Sequence, residues 1–215
     1  MTIMQRRIEE GRLKTGVPGL DAILDGGLIP GSVYIIQGSP GAGKTILANQ
    51  ICFHHAHTGN KALYVTLLAE SHDRLLAHLS QLTFFDGSQV PDSIYFISGF
   101  DTLSRDGLKG ILHLLRSESR ARDASLIVLD GLFALEETAQ SAKEFRKFIN
   151  DLTTLSMLIG CTVLLLTNNA RRGVESVEYT MVDGWIELEM VQAAHRSERF
   201  VRILNYRGSV FVEGH

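Results

Sequence analysis

The chain has 215 residues, with 24 acidic against 21 basic side chains and a formal net charge of −3 at pH 7. Hydrophobic residues make up 45% and charged residues 21%, a globular balance that excludes a disordered or low-complexity chain. The mild acidity announces no nucleic-acid or anionic-membrane partner, and leaves only a local basic patch open.

In chain order, residues 1–30 are expected to form a looped N-terminal segment, because Pro18, Pro30 and Pro40 all fall in the first forty residues in turn contexts. VYIIQG (33–38) reads as a buried strand and 45–56 as the helix after it. ALYVTLL (62–68) is a second strand. Residues 71–82 carry Leu75, Leu76, Leu79 and Leu82 at helical spacing, with Ser71 as N-cap. IYFIS (94–98) is a third strand, 107–118 a helix, and SLIVLD (125–130) a fourth strand. Residues 142–159 form a long amphipathic helix and CTVLLLT (161–167) a fifth strand. Residues 182–190 and 199–206 are expected to pair as a hairpin at the far end of the sheet. Continuous apolar strands alternating with helices argue for an α/β fold, a mainly parallel central sheet covered on both faces. Neither a repeat nor a Gly/Ser linker divides the chain, so a single domain over 1–215 is expected. The longest apolar runs are too short to span a bilayer, and MTIMQRRIEE lacks the apolar core of a secretory signal. A cytoplasmic location is the expectation.

The segment Gly38-Ser39-Pro40-Gly41-Ala42-Gly43-Lys44-Thr45 has the GxxxxGK[ST] pattern, after a predicted strand and opening a predicted helix. Its glycines let successive N–H groups turn toward phosphate oxygens, and the helix N-terminus adds its dipole. Lys44 is expected on the β and γ phosphates, the Thr45 hydroxyl on Mg²⁺, and Ile46 in the first helical turn beside them. The strand Leu126–Leu129 ends in Asp130, placed to hold the same metal through water. Cleavage requires a group that positions water, and Glu70, just beyond the second strand, is the candidate base. The plain alternative is an acid that stabilises a helix start. Cys52, His54, His55 and His57 read as an ordinary helix, because a metal site needs further converging ligands. Two cysteines without a CxxC frame no disulfide or zinc module. Arg171 and Arg172 read as a solvated loop, and Met181, Trp185 and Met190 as core.

The run RLKTGVPGLDAILDGGLIPGSVYIIQGSPGAGKT (12–45) resembles the KaiC-like branch of the RecA superfamily of ATPases. ALYVTLLAES is similar to the strand that carries the family's catalytic glutamate, and SLIVLDG resembles its Walker B strand. VEYTMVDGWIEL and VRILNYRGS look like its two late strands. The resemblance implies a RecA-like P-loop fold, ATP and Mg²⁺ as cofactors, and a homo-oligomer, a hexameric ring, with nucleotide between subunits. Arg207 would then reach the γ-phosphate of a neighbouring subunit. Asn205 stands where the family's K-x-R-G segment has its lysine, and Ala69-Glu70 where many relatives have two acids. Thr180 lies near the self-phosphorylated positions of the two-domain clock members and is read as structural. Family chains commonly continue beyond GSVFVEGH, so a longer natural chain is expected. The implied function is Mg²⁺-dependent ATP hydrolysis in signalling or regulation, with a protein partner and without nucleic acid or membrane. A weakly hydrolytic, ATP-gated assembly switch and a DNA-acting relative are the alternatives.

Overall fold

The structure, a computed structural model, describes residues 11–69, 72–168, 180–193 and 196–207. Fourteen segments of regular structure follow in order among these residues. They are α1 (Pro18–Ile23), β1 (Val33–Gly38), α2 (Lys44–His57), β2 (Ala62–Thr66), α3 (His72–Leu79), a 3₁₀ turn (Gly87–Gln89) and β3 (Ile94–Ser98). They continue with α4 (Phe100–Arg122), β4 (Leu126–Asp130), α5 (Leu132–Thr138), α6 (Ala142–Ile159), β5 (Thr162–Asn168), β6 (Gly184–Ala193) and β7 (Arg196–Tyr206).

The seven strands form one sheet in the order β3-β2-β4-β5-β1-β6-β7. Every neighbouring pair is parallel except β6 and β7, which close the edge as an antiparallel hairpin. This is the α/β arrangement that the strand and helix alternation implies, and it is consistent with the RecA-like fold that the resemblance implies.

The strands are apolar throughout because both faces are covered. On one face Tyr34, Ile36, Tyr64, Val128, Leu164 and Leu166 pack against Leu20 of α1, Ile51 and Phe53 of α2 and Leu79 of α3. On the other, Val33, Ile35, Val65, Leu129 and Leu165 meet Ile111 and Leu115 of α4 and Phe148 and Leu152 of α6. Each such aliphatic or aromatic side chain contributes about 1.5–3 kcal/mol by leaving water.

Several predicted bounds change. The helix expected at 107–118 starts at Phe100 and runs to Arg122. Gly107 (φ 62°, ψ −156°) breaks its helical geometry, so the sequence pattern looks like a beginning where the structure has a kink. Two helices were not foreseen. α1 lies within the segment expected to be looped, with Pro18 in its first turn, and α5 follows β4 directly. With six and seven residues, both are too short to show helical periodicity. The expected N-cap Ser71 lies outside the described residues. The hairpin strands are longer than expected, and Met190, expected in the core, is 39% exposed on β6. Met181 and Trp185 are partly buried against the second core layer.

The strand order positions the site. Between β1 and β2 the chain passes over β5 and β4, and α2 packs on the sheet along that path. Its first turn therefore stands near the C-terminal end of β4, where Asp130 lies.

Candidate functional site

β1 ends at Gly38, paired with Asn168 on one side and Leu188 on the other. A side-chain carbon at Gly38 would stand 2.5 Å from the Leu188 carbonyl oxygen, so the strand can end here only as glycine. Gly41 and Gly43 take φ of +81° and +104°, left-handed values that let the loop curl before α2. The Ala42 N–H closes the turn on the Ser39 carbonyl at 3.1 Å. Ala42 is buried, Pro40 is exposed at the loop's apex, and Ile46 is 44% exposed on its rim. No side chain caps α2 at Gly43, so its first N–H groups and dipole face the loop's concavity.

Lys44 folds back along the loop. Its Nζ donates to the carbonyls of Gly38 (2.8 Å) and Ser39 (3.1 Å). Partial burial lowers its pKa below the ordinary lysine value, while the Asp130 charge pulls it back up. An anion in the concavity would act on the ammonium in the same direction as Asp130.

Across the crevice, Thr45 Oγ1 donates to Asp130 Oδ2 at 3.3 Å. The Tyr64 hydroxyl donates to the same oxygen at 2.6 Å. Tyr64 is completely buried, and burial first, then the Asp130 charge, hold its pKa well above the ordinary tyrosine value. It therefore stays a donor and fixes the carboxylate. A cavity of about 50 Å³ opens here, walled by Thr45, Tyr64, Thr66, Leu68, His72 and Asp130 among others. One carboxylate and one hydroxyl are hard oxygen donors that suit Mg²⁺, an ion that keeps several waters and leans on substrate phosphates. Among the described residues no group of three or more His, Cys, Asp or Glu is arranged to hold a metal by itself.

Glu70 lies outside the described residues, as do Arg171 and Arg172. Arg207 is exposed just past β7; its N–H donates to the Asp183 carbonyl at 2.7 Å and its guanidinium donates to the Thr180 carbonyl. This is the opposite end of the sheet from the phosphate loop. Tyr206 pairs with Gly184, which pairs with Tyr34, four residues before Gly38 on β1. Four residues of strand span about 13 Å. Arg207 is therefore remote from the phosphate loop of its own chain; the loop it was expected to serve is a neighbouring subunit's. Asn205 pairs with Trp185 on the same hairpin.

Two neighbours of the loop were missed in the sequence. Arg199 of β7 lies over Gly43: a side-chain carbon at that glycine would stand 3.9 Å from Arg199 Cδ. It is one of several arginines in β7, and only the β6–β7 register singles it out. Tyr64 had a faint signal, the lone aromatic in the strand Ala62–Thr66. The histidine-rich end of α2 is structural: His55 contacts Ser125 Oγ through Nε2 at 2.8 Å, and His57 Nδ1 contacts the Phe53 carbonyl at 2.6 Å.

A family model described as "ATPase: KaiC" matches residues 13–213. A circadian clock oscillator protein KaiC from Picosynechococcus sp. is 26% identical over 94% of this chain, which covers 42% of that relative. Circadian clock protein KaiC3 from Synechocystis sp. is likewise 26% identical, with the same shares. A UPF0273 protein from Thermotoga maritima is 25% identical over 92% of this chain and 88% of its own length. The chain thus spans less than half of the clock relatives it matches. No helix of the described residues is long and apolar enough to cross a membrane. With its phosphate loop, the acid-ended β4 beside it and a family match over nearly the whole chain, this protein belongs to the KaiC ATPase family, the RecA-like P-loop proteins that bind ATP.

Proposed function

We propose that this chain is a single-domain, Mg²⁺-dependent ATPase that assembles with nucleotide between subunits and uses hydrolysis to change its assembly or the docking of a signalling partner. The observation that carries the reading is the approach of the Thr45 hydroxyl to Asp130 at 3.3 Å, beside a loop that directs Lys44 and a helix N-terminus into one concavity.

The loop from Gly38 to Ile46 holds the phosphates through backbone N–H groups and the Lys44 ammonium. Thr45 and Asp130 hold Mg²⁺, which supplies positive charge to the phosphate oxygens when bound. Glu70 takes a proton from water as the water oxygen attacks the γ-phosphorus. The bond from that phosphorus to the bridging oxygen breaks, and ADP leaves with the electron pair. Arg207 stabilises the developing charge from a neighbouring subunit. Its distance from the loop of its own chain supports this trans role. Ile46, Leu68, Phe100 and Phe133, 40–44% exposed after β1, β2, β3 and β4, support a neighbour that covers this edge. Asn205, in place of a lysine, favours a second reading, an ATP-gated switch with little turnover.

The test is the specific ATPase rate against protein concentration, followed by mixing of Arg207→Ala with Glu70→Gln. Each variant alone is expected to be nearly inactive. An equal mixture should recover about a quarter of the wild-type rate, because one interface in four joins an intact pocket to an intact arginine. Absence of recovery on mixing, or full activity of Arg207→Ala alone, refutes the shared site. Tight ATP binding with negligible turnover at every concentration replaces the enzyme by the switch.

A further inference from the structure

His72 is the first residue of α3 and a wall of the small cavity that also meets Thr45, Tyr64, Thr66 and Asp130. Its Nε2 is buried and has no hydrogen-bond partner among the described residues. Buried polar atoms are paired in nearly all native structures, so an orphaned ring nitrogen on the wall of a cavity points to an ordered water or ion within it. The ring is held in place: it packs on Phe96 at 6.1 Å between centroids, and Phe96 packs on Tyr64 at 5.2 Å. One aromatic thus braces both the tyrosine that fixes Asp130 and the histidine beside it. A cavity of about 50 Å³ has room for an ordered water or a small ion, and none for a base or sugar.

We propose that His72 is a positioning residue of the nucleotide site: its Nε2 hydrogen-bonds a water of the metal's shell in the cavity between Thr45 and Asp130 and so sets the metal's place against the terminal phosphate. The inference rests on the ATPase reading above. It adds a nitrogen beside the oxygen donors Thr45 and Asp130, and it follows from the cavity, the orphaned atom and the aromatic brace together.

The experiment uses the full chain with Mn²⁺ and a non-hydrolysable β,γ-imido analogue of ATP. Electron spin-echo modulation is recorded for unlabelled and ¹⁵N-histidine protein, in wild type and in His72→Ala. A histidine-nitrogen modulation that changes with the label and vanishes in the variant is expected. In steady-state assays with Mg²⁺, His72→Ala should lower kcat about tenfold or more with KM for ATP nearly unchanged. His72→Gln, whose amide can stand near the Nε2 position, should restore most of the loss, which a merely structural role for the imidazole would not predict. Label-insensitive modulation, or kcat unchanged in His72→Ala, overturns the proposal while leaving the ATPase intact. Failure of wild type to bind the Mn²⁺–nucleotide complex overturns the ATPase reading and this inference with it.

Discussion

His55 offers a quantitative check on the α2 packing that carries the phosphate loop. The side chain is 7% exposed near the end of α2, with Nε2 at 2.8 Å from Ser125 Oγ. Burial first, and the charge of His54 second, push its pKa down from 6.5 to about 4. The native state therefore binds this proton less readily than the unfolded chain does. Above pH 6.5 both states carry a neutral imidazole and the contribution to stability is complete; it is lost as pH falls from 6.5 toward 4. At pH 5 the unfolded imidazole is almost fully protonated and the native one almost neutral, which costs about 2 kcal/mol relative to pH 7. His55→Gln removes the titration and keeps a hydrogen-bonding group near Ser125. Urea unfolding of both proteins at pH 7 and pH 5 measures the effect as a difference, so that carboxylates common to both cancel. Wild type should lose about 2 kcal/mol more than the variant between the two pH values. Equal losses would refute the reasoning and mean that His55 accepts a proton in the folded state.

Two further outcomes are expected. Lys44→Ala should abolish measurable ATP binding, by more than about a hundredfold, with the circular dichroism spectrum unchanged, because a charge-assisted phosphate contact is lost without a packing defect; isothermal titration calorimetry reads it. Tyr206→Phe should destabilise the chain by about 1–3 kcal/mol in denaturant melts. It leaves the Gly27 carbonyl without the hydroxyl that donates to it at 2.7 Å, and it deprives Arg12 of the acceptor that ties the N-terminal loop to β7.

The sheet was largely legible because its strands are short aliphatic runs bounded by glycine or polar residues, a pattern that needs no partner to be recognised. Leu126–Asp130 shows this best: four buried apolar residues end in an acid, and the same five residues are β4. α1 and α5 were missed because a helix of six or seven residues shows less than two turns of periodicity. α4 was cut short because Gly107 interrupts its pattern at the kink. Met190 was misplaced because an apolar residue on a hairpin strand can face either side, and the face depends on register.

The phosphate loop is a local object, and its sequence determined it: glycines at Gly41 and Gly43 permit the left-handed turns, and the lysine and threonine follow in the first turn of the helix. The acid at the end of β4 was also readable, since the strand pattern ends on it. Only the tertiary structure decided what surrounds these groups. Thr45 and Asp130 are 85 residues apart and meet because α2 returns across the sheet between β1 and β2. Tyr64 reaches Asp130 because β2 and β4 are neighbours, a consequence of strand order. Arg199 comes over Gly43 through the β6–β7 register, while Arg207, eight residues later, lies at the opposite end of the strands. Sequence spacing sets what one element presents along itself; which elements lie side by side is settled by burial of both sheet faces, and the site is made where they meet.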